Sequence, residues 1–176
     1  MGNLWSNDFI LDEETLLTYV ELTYLKRREI LCIVKRLNSI EPGILRNDLH
    51  HRFTVEQVRS ILPQIAHSPF QDSIYRVFSS KQDGCLSLED VLDLCSAFSE
   101  NCPENIRAAW AFRILDLDGD NEISADDLIQ IVRRLTRNHE AERESIDNAE
   151  VEYVARMASI DNTYLPPRIT TQNQLT

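Results

Sequence analysis

The sequence lacks the features that mark several large classes of protein. Only 4 glycines and 6 prolines occur among 176 residues, and this shortage of turn formers favours a mostly helical chain. No apolar run approaches the roughly 20 residues of a membrane-spanning helix, and the N-terminus does not resemble a secretory signal. The 4 cysteines show no C-x-x-C spacing, so we expect free thiols in a reducing, cytoplasmic compartment.

Catalytic and nucleic-acid-binding patterns are also missing. The chain has no nucleophile elbow, phosphate-binding glycine loop or H-E-x-x-H motif, so we do not expect an enzyme. Its 18 basic and 29 acidic side chains give a formal charge of −11. A charge of that sign repels phosphate backbones and argues against nucleic acid as a partner.

Apolar spacing and helix-capping residues predict a succession of helices. Asp12 is placed to cap the first of them, and Thr54, Ser87 and Ser124 to cap later ones. Residues 38–53 show no periodicity and are predicted to form an exposed loop. The predicted helices cover residues 11–22, 24–38, 54–62, 68–78, 87–98, 103–115, 124–136 and 142–160.

One acidic segment, residues 116–127, has the ligand spacing of a calcium-binding EF-hand loop. Oxygen-bearing side chains stand at loop positions 1, 3, 5, 9 and 12, and position 7 offers its backbone carbonyl. Apolar residues recur at helical intervals on both sides of the loop, so both flanking helices turn one face to the same core. The segment therefore predicts a calcium or magnesium site. Its ligands are Asp116, Asp118, Asp120, Glu122, Ser124 and Asp127.

A weaker copy of this pattern begins 37 residues earlier, with Ser79 at loop position 1 and Leu86 at position 8. The spacing indicates an internal repeat. Lys81 occupies position 3 and would place a cation where a carboxylate is needed. We therefore expect this hand to be structural and to hold no metal.

A further hand is predicted to begin at Asp161 and to remain incomplete, because the residues that follow cannot supply metal ligands. EF-hand loops normally pair through short strands at position 8, which is Ile123 in the loop at residues 116–127. We therefore expect Ile123 to lack an ordinary strand partner. An exposed edge of this kind can recruit a second chain, so a homodimer is one alternative.

Residues 10–160 resemble the calcium- and integrin-binding protein family. The segments that carry the resemblance are LTYL (22–25), EILCI (29–33), SPF (68–70), RVFS (76–79), LEDVL (88–92) and AFRILD (111–116). The resemblance implies an all-α, calmodulin-like fold of four EF-hand-like units, the first two without usable ligands. The predicted organisation is a mobile segment at 1–10, an N-terminal pair of hands at 11–99, a C-terminal half with one intact hand at 100–160 and a mobile tail at 161–176.

The resemblance also implies an adaptor that binds an amphipathic helix from the cytoplasmic tail of a membrane protein, integrin α-subunits being the namesake partners. We predict an apolar groove for such a helix, since an incomplete fourth hand would leave apolar area uncovered. The alternative is that the polar helix at 142–160 folds back over it. The predicted groove residues are Ile74, Tyr75, Phe78, Val91, Leu94, Phe98, Phe112, Leu128, Ile131, Val132 and Leu135.

Gly2 and Ser6 fit the pattern for N-myristoylation. A single myristoyl chain binds membranes only weakly, and the basic residues Lys26, Arg27 and Arg28 could add a second signal. This predicts weak association with the inner face of the plasma membrane. Two other functions stay open, namely a regulatory subunit of a signalling enzyme and a metal-indifferent scaffold.

Overall fold

The structure, a computed structural model, describes residues 10–136. These residues belong to two compact units, one made of 10–63 with 78–102 and the other of 64–77 with 103–136. Gly2, the predicted helix at 142–160 and the predicted incomplete hand lie outside the described residues. The predicted domain boundaries at 10, 99 and 160 stay predictions.

The described part of the chain is mostly helical, as predicted from the shortage of glycine and proline. No helix within residues 10–136 has the length and apolar character needed to cross a bilayer. In chain order the elements are α1 (Glu13–Leu22), α2 (Arg27–Ile40), α3 (Ile44–Asn47), β1 (Phe53–Thr54), α4 (Val55–Ile61), α5 (Pro63–Ala66), α6 (Gln71–Phe78), β2 (Cys85–Leu86), α7 (Leu88–Ala97), α8 (Glu104–Leu115) and α9 (Ala125–Thr136).

The first unit is built on α2, which packs against α1, α4 and α7. Its core contains the fully buried side chains of Leu16, Ile30 and Leu92. The hydroxyl of buried Tyr19 donates a hydrogen bond to Glu89 at 3.0 Å, which supplies a partner for a carboxylate that is itself buried. The four cysteines, all within residues 10–136, form no disulfide, as predicted.

Two short antiparallel strands, β1 and β2, pair the residues just before α4 with the loop at residues 79–90. In this pair Phe53 lies opposite Leu86, and Thr54 lies opposite Cys85. The prediction of an exposed loop over 38–53 is therefore wrong in part, because the segment contains α3 and ends in the fully buried Phe53. A two-residue strand and a four-residue helix are too short to show a periodicity against many turn-forming residues.

Three helices begin with the same reciprocal cap. The side chains of Thr54 and Gln57 cap α4, and those of Ser87 and Asp90 cap α7. At the start of α9, Ser124 Oγ accepts from the Asp127 amide at 3.2 Å while Asp127 accepts from the Ser124 amide at 3.0 Å. These capping boxes confirm the predicted helix starts. Helix α6 begins later than residue 68, because the preceding residues form a turn.

The second unit contains α8, α9 and most of α6. Trp110, Phe112 and Ile131 are buried in it. Arg134, in the last turn of α9, binds both carboxylate oxygens of Asp72 on α6, at 2.7 and 2.9 Å. This bidentate pair links the last turn of α9 to the start of α6.

Candidate metal centre

Three aspartates converge in the loop between α8 and α9. Carboxylate oxygens of Asp116, Asp118 and Asp120 lie within 4.8 Å of one another. Asp116 is buried, and the other two are exposed. The alternation of loop positions 1, 3 and 5 thus brings three negative charges to one point, as the spacing predicts.

Backbone amides wind the loop around these side chains. The two carboxylate oxygens of Asp116 accept from the Gly119 amide at 2.7 Å and from the Asn121 amide at 3.1 Å. Asp120 accepts from the Glu122 amide at 2.8 Å. Gly119 and Asn121 have φ of 81° and 70°, a region that glycine and asparagine enter most readily.

Asp127, at loop position 12, closes the loop. Its side chain is 1% exposed, and one oxygen accepts from the Leu117 amide at 3.0 Å. The other accepts from the amide and the hydroxyl of Ser124, at 3.0 and 2.8 Å. The first turn of α9 is therefore tied to the first residues of the loop.

The donor set of the loop fits a hard divalent cation. All six predicted ligands lie in the described loop, and they offer carboxylate, hydroxyl and backbone carbonyl oxygens, which calcium and magnesium prefer. The Glu122 side chain is exposed, in keeping with a role for its backbone carbonyl. In the second unit Arg76 donates to the backbone carbonyl of Asp116 at 2.7 Å. The sequence did not predict this contact, because no motif links position 76 to the loop.

The loop at residues 79–90 contains a second cation besides Lys81, which is exposed at position 3. This cation is Arg52, whose guanidinium hydrogen-bonds Asp83 and Asp90. Sequence reasoning missed Arg52, since it precedes β1 and reaches the loop only through the pairing of the two strands.

The residues of the predicted partner groove fall into two groups. The structure exposes Phe98 and Leu135 and leaves Leu128 and Val132 half-buried. The other members are core residues in this structure, so they offer no surface to a partner. The groove stays a prediction, with accessible area at four of its members. The buried members are Ile74, Tyr75, Phe78, Val91, Leu94, Phe112 and Ile131.

The structure is that of an EF-hand protein. It contains helix-loop-helix units, a short strand pair that joins two loops, and a loop lined with oxygen atoms. The chain is 32% identical over 140 residues to human calcium and integrin-binding family member 3, covering 78% of this chain and 73% of the relative. It is 33% identical over 135 residues to member 2 of that family from Drosophila melanogaster, covering 72% and 69%.

A third relative, human calcium and integrin-binding family member 2, is 30% identical over 149 residues, covering 83% of this chain and 78% of the relative. No model of a protein family matches the chain. The identities and coverage show that the chain belongs to the calcium and integrin-binding family, which confirms the resemblance seen in the sequence. A finer prediction from the same motifs, that it is nearest to family member 4, stays a prediction.

Proposed function

We propose that the protein is a metal-dependent EF-hand adaptor. It binds one calcium or magnesium ion in the loop at residues 116–127, and it binds an amphipathic helix from the cytoplasmic tail of a membrane protein such as an integrin α-subunit. Two of the relatives that support this proposal are named for calcium and integrin binding. The adaptor acts by binding and not by catalysis.

The observation that carries the metal half of the proposal is the convergence of Asp116, Asp118 and Asp120 within 4.8 Å. Three carboxylates so close together repel one another unless a cation lies between them. The buried Asp127 adds a fourth carboxylate to the same loop. An ion bound there would relieve the repulsion and couple α8 to α9.

The partner half is supported by an apolar stripe on α9. Leu128 and Val132 are half-buried and Leu135 is exposed, and their spacing of four and three residues places them on one side of the helix. An amphipathic partner helix presents matching anchors at i, i+4 and i+7. Because α9 begins at the metal loop, ion binding there would set the position of the stripe.

The test is a calorimetric titration with magnesium and then calcium, followed by an integrin α-type tail peptide with and without metal. We expect one ion per chain, and peptide binding that is stronger with the ion than in chelator. Val132→Glu should weaken peptide binding by at least roughly 10-fold, because it places a charge in an apolar contact. Gln130→Glu, at an exposed position of α9, is the matched control.

Equal peptide affinity in metal and chelator would replace the adaptor with the metal-indifferent scaffold. A monomer that binds no apolar helical peptide under either condition would remove the adaptor function. Light scattering on the same samples measures the molar mass and would detect the homodimer that is one alternative. The regulatory-subunit alternative requires a catalytic partner, and activity that appears only with such a partner would favour it.

Membrane association is a separate part of the proposal. We expect Gly2 to accept myristate, and a single chain gives a membrane binding constant of about 10⁴ M⁻¹. Co-expression with an N-myristoyltransferase followed by intact-mass measurement tests this, with Gly2→Ala as the control. An unchanged mass would contradict it.

A further inference from the structure

The loop at residues 79–90 surrounds an arginine that comes from another part of the chain. Arg52 immediately precedes β1, and β1 pairs with β2 inside this loop. The antiparallel register therefore brings Arg52 alongside the loop, and its side chain is only 15% exposed. Both segments belong to the first unit.

The Arg52 guanidinium contacts the groups that would be metal ligands in an ion-binding hand. Its Nη2 donates to Asp83 Oδ1 at 2.7 Å and to the Cys85 carbonyl at 2.6 Å. Nη1 donates to Asp90 Oδ2 at 3.2 Å, and Nη2 lies 3.5 Å from Ser79 Oγ. These partners are loop positions 5, 7, 12 and 1, four of the positions from which an EF-hand ligates its ion.

We propose that the Arg52 guanidinium is a built-in substitute for the metal ion in the loop at residues 79–90, holding this hand closed without metal and excluding a divalent cation from it. A guanidinium carries a permanent positive charge and five donors in a fixed plane. It can therefore satisfy several oxygens at once, as an ion does. The metal dependence of the protein then arises outside this loop.

The hydrogen bonds around Asp90 match those around Asp127 in the loop at residues 116–127. Asp90 Oδ2 accepts from the Ser80 amide at 3.3 Å and from the Ser87 amide at 3.1 Å. The amides at the same two loop positions, Leu117 and Ser124, donate to Asp127 in the loop at residues 116–127. Both loops are thus tied from position 12 to positions 2 and 9.

The charge balance of the loop also fits an internal cation. Asp90 is 6% exposed at its side chain, and a buried carboxylate is costly without a partner of opposite charge. The hydrogen bond from Arg52 lowers the pKa of Asp83 to about 2. Arg52 is therefore a partner of both carboxylates, and its loss would leave Asp90 buried without its cation.

The first test is thermal unfolding in excess chelator, where only an internal cation can act. Arg52→Met should lower the midpoint by about 6–12 °C, the shift expected when one partner of a buried ion pair is removed from a chain of this size. Arg52→Lys keeps the charge without the planar fork and should lower it less. Arg28→Met, at an exposed position of α2, is the control, and a midpoint shift no larger than that of this control would overturn the proposal.

The second test counts calcium ions by equilibrium dialysis, relative to the wild-type chain, so that its outcome does not depend on the loop at residues 116–127. Lys81→Asp alone should add no ion, because Arg52 still fills the loop. Lys81→Asp with Arg52→Met, checked for helicity by circular dichroism, should bind one ion more than the wild type. An extra ion in Lys81→Asp alone, or none in the helical double variant, would overturn the proposal.

Discussion

The loops at residues 79–90 and 116–127 share a pattern of backbone dihedral angles and differ in the charged side chains around their centres. Position 4 has positive φ in both, in Gln82 and in Gly119, and so does position 6, in Gly84 and in Asn121. Each loop thus uses one glycine and one amide residue at these two positions, in opposite order. Positive φ at positions 4 and 6 therefore does not depend on which of the two positions holds the glycine.

The side chains at positions 1 and 3 separate the two loops. The loop at 116–127 has Asp116 and Asp118 there, whereas the loop at 79–90 has Ser79 and Lys81. The loop at 79–90 has fewer carboxylates around its centre, which suits a single positive charge. The crowded carboxylates of the loop at 116–127 suit a divalent cation. Under the proposal of an internal cation, one type of loop is closed by a guanidinium at residues 79–90 and by a metal ion at residues 116–127.

The largest expected effect is at position 1. Asp116→Ala should weaken ion binding at least roughly 100-fold, because it removes a buried ligand that also anchors two loop amides. Ser79→Ala, the same position in the other loop, should leave the number of bound ions unchanged. Calorimetric titration of both variants checks this. A bound ion that persists in Asp116→Ala would assign the metal site elsewhere.

Position 12 should set the choice of metal. Asp127 is shorter than the glutamate usual at this position, and a shorter carboxylate favours six-coordinate geometry suited to magnesium. Asp127→Glu should therefore raise the preference for calcium over magnesium by roughly 10-fold. Competition titrations measure the ratio, and no change in it would contradict the role given to Asp127. Asp90→Glu serves as the control, since Arg52 occupies that loop.

Position 6 should give a smaller effect of opposite sign in the two loops. Asn121→Gly relieves a left-handed backbone and should stabilise the protein by up to about 1 kcal/mol. Gly84→Ala places a side chain in the same conformation and should destabilise it by about 1 kcal/mol. Denaturant unfolding in chelator measures both changes. Shifts of the same sign would show that the two loops do not share this conformation in solution.

The smallest expected effect is a pH dependence at the Arg52–Asp83 contact. The hydrogen bond from Arg52 lowers the pKa of Asp83 from 3.8 to about 2. A lowered pKa in the folded state contributes stability above pH 4 that is lost as the pH falls from 4 to 2. Asp83→Asn should make the unfolding midpoint fall less over that interval. The same substitution should have a smaller effect in an Arg52→Met background, where the Cys85 amide still donates to Asp83, and an equal effect in both backgrounds would exclude the contact as the cause.

Much of the fold follows from local patterns in the sequence. The capping residues Thr54, Ser87 and Ser124 identify helix starts because an N-cap depends on side chains three residues apart. The acidic loop is equally local, since twelve consecutive residues contain all its donors. The carboxylates of Asp116, Asp118 and Asp120 accordingly converge as the spacing predicts.

Contacts between residues far apart in the chain could not be predicted from the sequence. Arg52 and Asp83 are 31 residues apart, and only the pairing of β1 with β2 brings them together. The same limit applies to Arg76 and the Asp116 carbonyl. The predicted groove shows a different limit, because helical periodicity identifies apolar faces without telling a covered face from an open one. Phe112 and Leu135 are both periodic, and only Leu135 is exposed.

Amide hydrogen exchange followed residue by residue, in chelator and then in calcium, tests most directly whether two different cations close the two loops. The amides of Ser80, Cys85 and Ser87 should be protected to the same degree in both conditions, because Arg52 is always present. The amides of Gly119, Asn121 and Ser124 should gain protection only when calcium is added. Protection of residues 79–90 that depends on calcium, or protection of residues 116–127 that does not, would contradict the assignment of an internal cation to one loop and a metal ion to the other.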